Sequence, residues 1–244
     1  AIFGQWGRFS SERVFHSYAD RHLREAFPNL PSYAQFNRLL RQHSPVIDRF
    51  FLWLTQLLGA RDCAYESLDS SGVATRNYKR RGRGWLAGLA NIGWSNRLGW
   101  FAGFRLLVSA NPVGMVTGFA YAPASTNDRT MAESFFALRW HPNDKLLTVG
   151  ARAKGPYVLD KGFEGLQRAR HWLADYGAQV IYSPNRRSRD AWPKPWRRLL
   201  ASIRQIIETV FDKLHLTFRL DRERPHDLSG FHVRLSAKAA LHNF

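Results

Sequence analysis

Past Gly59 the hydrophobic pattern changes, and the order of elements that follows leaves few folds open to the chain. Residues 64–75 read as a strand, and 76–100 as a loop rich in Lys, Arg, Gly and Trp. Strands at 101–110 and 113–122 are joined by a turn at Asn111 and Pro112, and 128–139 reads as a helix. A short apolar strand at 157–159 precedes a helix at 164–176 closed by Gly177. A strand at 179–182 and a long amphipathic helix at 196–216 complete the order. The apolar stripe of that last helix includes Leu200, Ile203, Ile207, Val210, Phe211 and Leu214. Three strands followed by helix, strand, helix, strand and helix predict a mixed α/β fold, a central sheet flanked by helices.

Residues 1–60 predict an N-terminal helical region ahead of an α/β domain at 61–244. Ser10 or Ser11 can cap a first helix, Ser32 a second, and Ser44 with Pro45 reads as a cap and first-turn proline of a third. The second and third helices fit either a DNA-reading helix-turn-helix, with Asn37, Arg38 and Arg41 outward, or a plain bundle packed on the core. The chain opens on Ala1 rather than Met, so this region is expected to be truncated.

Charge narrows the partners. The sequence has 36 Lys and Arg against 19 Asp and Glu, a net charge of +17. Such an excess repels itself and suits a polyanion, because each neutralised phosphate releases a counterion. A membrane is disfavoured, since no run approaches the roughly 18 apolar residues of a spanning helix. The strongest apolar stretch, 46–58, is broken by Asp48, Arg49 and Gln56. A single cysteine, Cys63, excludes an internal disulfide and a cysteine-rich zinc site, and implies a reducing compartment. Arg8, Glu12 and Arg13 interrupt the start as a signal peptide.

Three acids stand in apolar surroundings: Asp69 on the first strand, Asp160 at the end of the fourth, and Glu208 on the last long helix. Phosphodiester chemistry needs a strong nucleophile, a stabilised leaving oxygen and neutralised phosphate charge, which two divalent ions supply together. Mg²⁺ keeps several waters, so a few carboxylates from separate elements suffice. An isolated carboxylate is ordinarily a solvated surface residue, whereas an unpaired charge in a buried strand is expensive. The residues alone leave both readings open.

The blocks Leu68-Asp69-Ser70-Ser71, Asp160-Lys161-Gly162-Phe163 and Arg204 to Phe211 resemble those of DDE transposases in order and spacing, 91 positions from 69 to 160 and 48 from 160 to 208. Within that superfamily the chain most resembles the insertion sequence 982 group of bacterial insertion sequences. Supporting matches are Leu30 to Arg38, Gly103 to Leu106, Pro123 to Ser125 with Asp128, and Phe231 to Lys238. The resemblance implies a ribonuclease H-like fold in which Asp69, Asp160 and Glu208 are catalytic metal ligands for Mg²⁺ or Mn²⁺, two ions. It implies cleavage of DNA at transposon ends and transfer of the freed 3′-hydroxyl into target DNA, by a cytoplasmic, nucleoid-associated bacterial enzyme, with a homodimer bringing two ends together. Leu159 stands where a Gly commonly precedes the second Asp, and Leu107 where a His is common. His215 replaces a Lys or Arg, which makes a phosphate contact there pH-dependent. A decayed copy that only binds DNA, and a nuclease that cuts without joining, are the alternatives.

DNA contacts are expected from two basic loops. The first carries Lys79, Arg80, Arg81 and Arg83 before Trp85; the second carries Arg186 and Arg187 and leads to Arg197. Glycines, cations and an aromatic suit a strand track with base stacking. Lys161 follows the second acid. On an unbroken helix Arg204, Glu208 and His215 share a face, so Arg204 and His215 are expected at the DNA. For Arg204 a plain ion pair with Glu208 is the competing reading. The nine His residues have no ligand-like spacing, and neither a nucleophile elbow nor a phosphate loop occurs.

Overall fold

A computed structural model describes residues 2–77, 79, 86, 88–142, 147–152, 154–184 and 192–244. Its centre is a six-stranded mixed sheet. The strands are β1 (Glu66–Arg76), β2 (Asn91–Ser95), β3 (Gly99–Ala110), β4 (Val116–Pro123), β5 (Tyr157–Leu159) and β6 (Val180–Tyr182). β1 and β3 are antiparallel, and β4 returns antiparallel to the second half of β3. β2 pairs with the first half of β3 on the edge that β4 also uses. On its other edge β1 takes β5 in parallel, and β5 takes β6 in parallel. This antiparallel trio extended by two parallel strands is a ribonuclease H-like arrangement, as expected.

The helices are α1 (Glu12–His22), α2 (Tyr33–Gln42), α3 (Ser44–Leu57), α4 (Asp128–Trp140), α5 (Leu166–Tyr176), α6 (Lys194–Asp212) and α7 (Leu228–Asn243). Local chemistry sets their ends. Ser11 and Ser32 accept hydrogen bonds from the Val14 and Gln35 N–H groups at the starts of α1 and α2. Gly177 closes α5 at φ 57°, a left-handed position that costs glycine nothing. Ser44 does not cap α3. It is the first helical residue, preceded by His43, and its buried hydroxyl has no hydrogen-bond partner among the described residues.

Each sheet face has its own core. On one, Leu68, Leu107 and Leu159 pack against Met131, Phe135 and Phe136 of α4 and Trp172 of α5. On the other, Val73, Phe104 and Val108 meet Ile207 and Phe211 of α6, Phe231 of α7 and Phe51 of α3. Strand β3 is buried on both faces, which explains its unbroken run Leu106-Leu107-Val108. Helix α3 thus joins the main core, and α2 packs beside it on α7. Phe51 is fully buried, 5.6 Å from the Phe119 ring, and Leu40 and Ile47 pack on Val233 and Ala237 of α7. Helices α2 and α3 pack inward through Leu40, Ile47 and Phe51.

Two elements differ from expectation. β2 lies inside the stretch read as loop, and α7 was not foreseen at all. The long helix also ends early. α6 stops at Asp212, and Lys213–Thr217 form a π-helical turn. Among the described residues no helix is long and apolar enough to cross a membrane.

Candidate carboxylate site

The parallel register of β1 and β5 determines where the first two acids meet. Glu66 is level with Tyr157 and Ser67 with Val158, an offset of 91 positions. Continued by two residues, the same offset puts Asp160 beside Asp69, on strands about 4.8 Å apart. Behind them α4 is pinned to the sheet by a buried ion pair, Arg139 Nη1 to Glu66 Oε2 at 2.6 Å. Arg139 also donates to the Tyr157 hydroxyl, the Ser109 hydroxyl and the Val149 carbonyl, and Thr117 donates to Glu66. With every partner in place, the desolvation cost of this pair is offset.

α6 crosses the same sheet face as Asp69. The Ser67 hydroxyl donates to the Ile203 carbonyl at 3.5 Å, which sets Arg204 over the two acids. Arg204 Nη1 is 3.1 Å from Asp160 Oδ1, and Nη2 is 3.8 Å from Glu208 Oε1. Arg204 thus pairs with Glu208, as in the ion-pair reading, and more closely with Asp160. Asp160 also accepts the Lys161 N–H at 2.6 Å as it caps a 3₁₀ turn over Lys161–Phe163. Arg129 of α4 donates to the Gly162 carbonyl at 2.8 Å and steadies that turn. Lys161 is exposed beside it.

Burial pushes the Asp69 carboxyl up to about 6, opposed by the Ser70 N–H and then by Arg204, and reinforced by Asp160 and Asp128. A carboxylate that desolvation and like charges disfavour is stabilised by any cation placed against it. Arg204 is the cation at this point. Among the described residues, no three His, Cys, Asp or Glu side chains gather closely enough to hold one ion. The donor chemistry nonetheless fits a hard divalent ion: three carboxylates, from β1, the end of β5 and α6, with Glu208 about half exposed.

His215 departs from expectation. It is 3% exposed, its Nε2 lies 2.9 Å from the Ser71 hydroxyl, and its Nδ1 lies 2.8 Å from Asp221 Oδ1. Arg97 closes the group, donating to Asp221 at 2.8 Å. A residue so enclosed has no surface for a phosphate. The physical cause is the π turn, which accommodates an extra residue and rotates His215 off the face of Glu208 and into the core.

Of the other expected DNA contacts, Arg80, Arg81, Arg83, Arg186 and Arg187 lie outside the described residues. Lys79 is exposed in a turn where its N–H donates to Asn77, and Arg197 is partly buried on the first turn of α6. Sequence reasoning gave no role to Arg105, whose guanidinium binds Asp128 at 2.8 Å, while the Ser70 hydroxyl donates to the same oxygen at 2.6 Å. Its signal was available: a lone cation within the apolar run of β3.

Residues 67–244 match the family model described as the transposase DDE domain. No curated protein matches the chain.

Proposed function

Because the chain belongs to the DDE transposase family, we propose that it cuts DNA at the ends of an insertion sequence and joins them to target DNA, with Asp69, Asp160 and Glu208 holding two Mg²⁺ or Mn²⁺ ions. The observation that supports this most is the shared offset of β1 and β5, which sets two of the acids side by side beneath the helix that carries the third. When bound, the ions would supply Lewis-acid polarisation of the phosphate and a stronger nucleophile.

The chain's own residues supply position and charge. Asp69 is fixed on a central strand, Asp160 is held by the turn it caps, and Glu208 remains the adjustable member. Arg204 neutralises Asp160 and Glu208 before loading, and is placed to meet a DNA phosphate once those acids are engaged. Lys161 offers a second cation at the same edge. Likeness to the insertion sequence 982 group, a homodimer and a place on the bacterial nucleoid in the cytoplasm belong to the same proposal.

Incubation of the protein with transposon-end DNA and Mg²⁺ or Mn²⁺ is expected to give end nicking and joined products. Asp160→Asn is expected to abolish nicking with DNA binding nearly intact. Nicking that survives the substitution removes Asp160 from the mechanism. Nicks without joined products favour a nuclease, and salt-sensitive binding without metal-dependent nicks favours a DNA-binding relic.

A further inference from the structure

Away from the carboxylates, a cleft of about 640 Å³ opens between helices α1 and α2 and the segment 218–226, with α7 beneath it. Seven Lys and Arg side chains line it against two glutamates. Its floor is neutralised internally. Glu223 pairs with Arg234 at 2.7 Å and Lys238 at 3.1 Å, and Arg234 reaches Glu12 at 3.6 Å. The rim is not. Arg13, Arg219, Arg222 and Arg224 have no carboxylate partner among the described residues. Arg13 lies over the Tyr33 ring at 5.0 Å, and the exposed Arg222 side chain bonds to nothing described. Arg219, at a left-handed φ of 59°, is held at the rim by its bond to the Gly7 carbonyl at 3.4 Å, which leaves its charge without a carboxylate.

The cationic surface continues. Arg224 also lines a neighbouring hollow of about 320 Å³ with Arg76, Asn77 and Trp100. Trp100 is 62% exposed and stands opposite Trp94, 51% exposed, across β2 and β3. A single anion would be satisfied by the rim arginines alone. Unpaired cations leading to exposed indoles match a chain of phosphates that carries bases.

We propose that the cleft and hollow form a track for a DNA strand, separate from the carboxylate site. Arg76 is seven positions from Asp69 along β1, roughly 23 Å. The inference rests on the reading of the chain as a DNA-acting protein but does not need that chemistry to occur.

The test is binding of labelled single-stranded and duplex oligonucleotides at several salt concentrations, without divalent metal and in the Asp160→Asn background. Failure to cut then has no bearing on the result. R13E/R222E is expected to weaken binding about tenfold or more and to reduce the slope of log affinity against log salt by about 1.4 to 1.8, the loss of two phosphate contacts. Unchanged affinity and slope in the folded variant overturn the proposal. Should the double variant misfold, R222Q alters one exposed side chain with no described partner. A slope reduced by about 0.7 to 0.9 supports the track, and an unchanged slope overturns it. Inorganic phosphate bound at the rim while both variants retain full DNA affinity would mark an anion pocket and equally overturn it.

Discussion

Asp69 and Asp221 are both partly buried acids, yet their protonation moves in opposite directions. Burial raises Asp69 to about 6, with Asp160 and Asp128 adding to that rise. Between its ordinary value and about 6, folded Asp69 binds a proton that the unfolded chain lacks, so its contribution to stability falls as pH rises through that window. Above it the penalty is constant, at most about 3 kcal/mol. Asp69→Asn is therefore expected to raise the urea midpoint near pH 8 and to leave it nearly unchanged near pH 4, while abolishing nicking. An Asn variant no more stable than the parent near pH 8 would show that the Asp69 charge is well solvated. Burial also opposes ionisation of Asp221, but His215 and Arg97 outweigh it and hold the carboxyl down to about 2. Its stabilisation is complete above its ordinary value and is lost as pH falls through about 2. The three candidate acids were singled out by the order and spacing of the blocks that resemble DDE transposases, since their local surroundings alone left a solvated surface role open. The His215–Asp221–Arg97 group was not, because its members meet only through a change in helical pitch.

Strand β5 was legible to the residue, being a short apolar run between polar flanks. β2 was not. Its one buried position is Gly93, and Ile92 and Trp94 face outward, so an edge strand of this kind carries no inward-facing apolar alternation. α7 was hidden for the opposite reason. Ten of its sixteen residues are buried, and a helix enclosed on most sides shows no apolar stripe. The π turn after α6 gave no sign in the sequence, since the stripe runs on through Leu214. That turn directs His215 to Ser71, two positions from Asp69, and so ties the helix of Glu208 to the strand of Asp69. His215→Ala is expected to cost about 1–3 kcal/mol in chemical denaturation, because it leaves the Ser71 hydroxyl and the Asp221 carboxylate without the ring that bonds them. A variant with parental stability would return His215 to the surface role that the sequence suggested.

The change of pattern at Gly59 marks a change of secondary structure, and the hydrophobic core extends across it. Phe51 lies before that point and packs among residues after it. Phe51→Ala is expected to cost about 3–5 kcal/mol, and scanning calorimetry should show one cooperative transition for parent and variant alike. Two separate transitions would mean that residues 1–60 fold on their own. Leu40 of α2 packs on Val233 and Ala237 of α7, and Arg234 of α7 reaches Glu12 of α1, which holds both helices against the floor of the basic cleft. The register between β1 and β5 has a different consequence, for how such a chain can change in length. Hydrogen bonds between two neighbouring strands, not the chain joining them, determine how near Asp69 stands to Asp160. The excursion between these positions can therefore gain or lose whole loops while the pair stays in place. A single residue inserted within β5 would instead turn Asp160 to the opposite side of the sheet. Growth is tolerated between the acids and forbidden beside them.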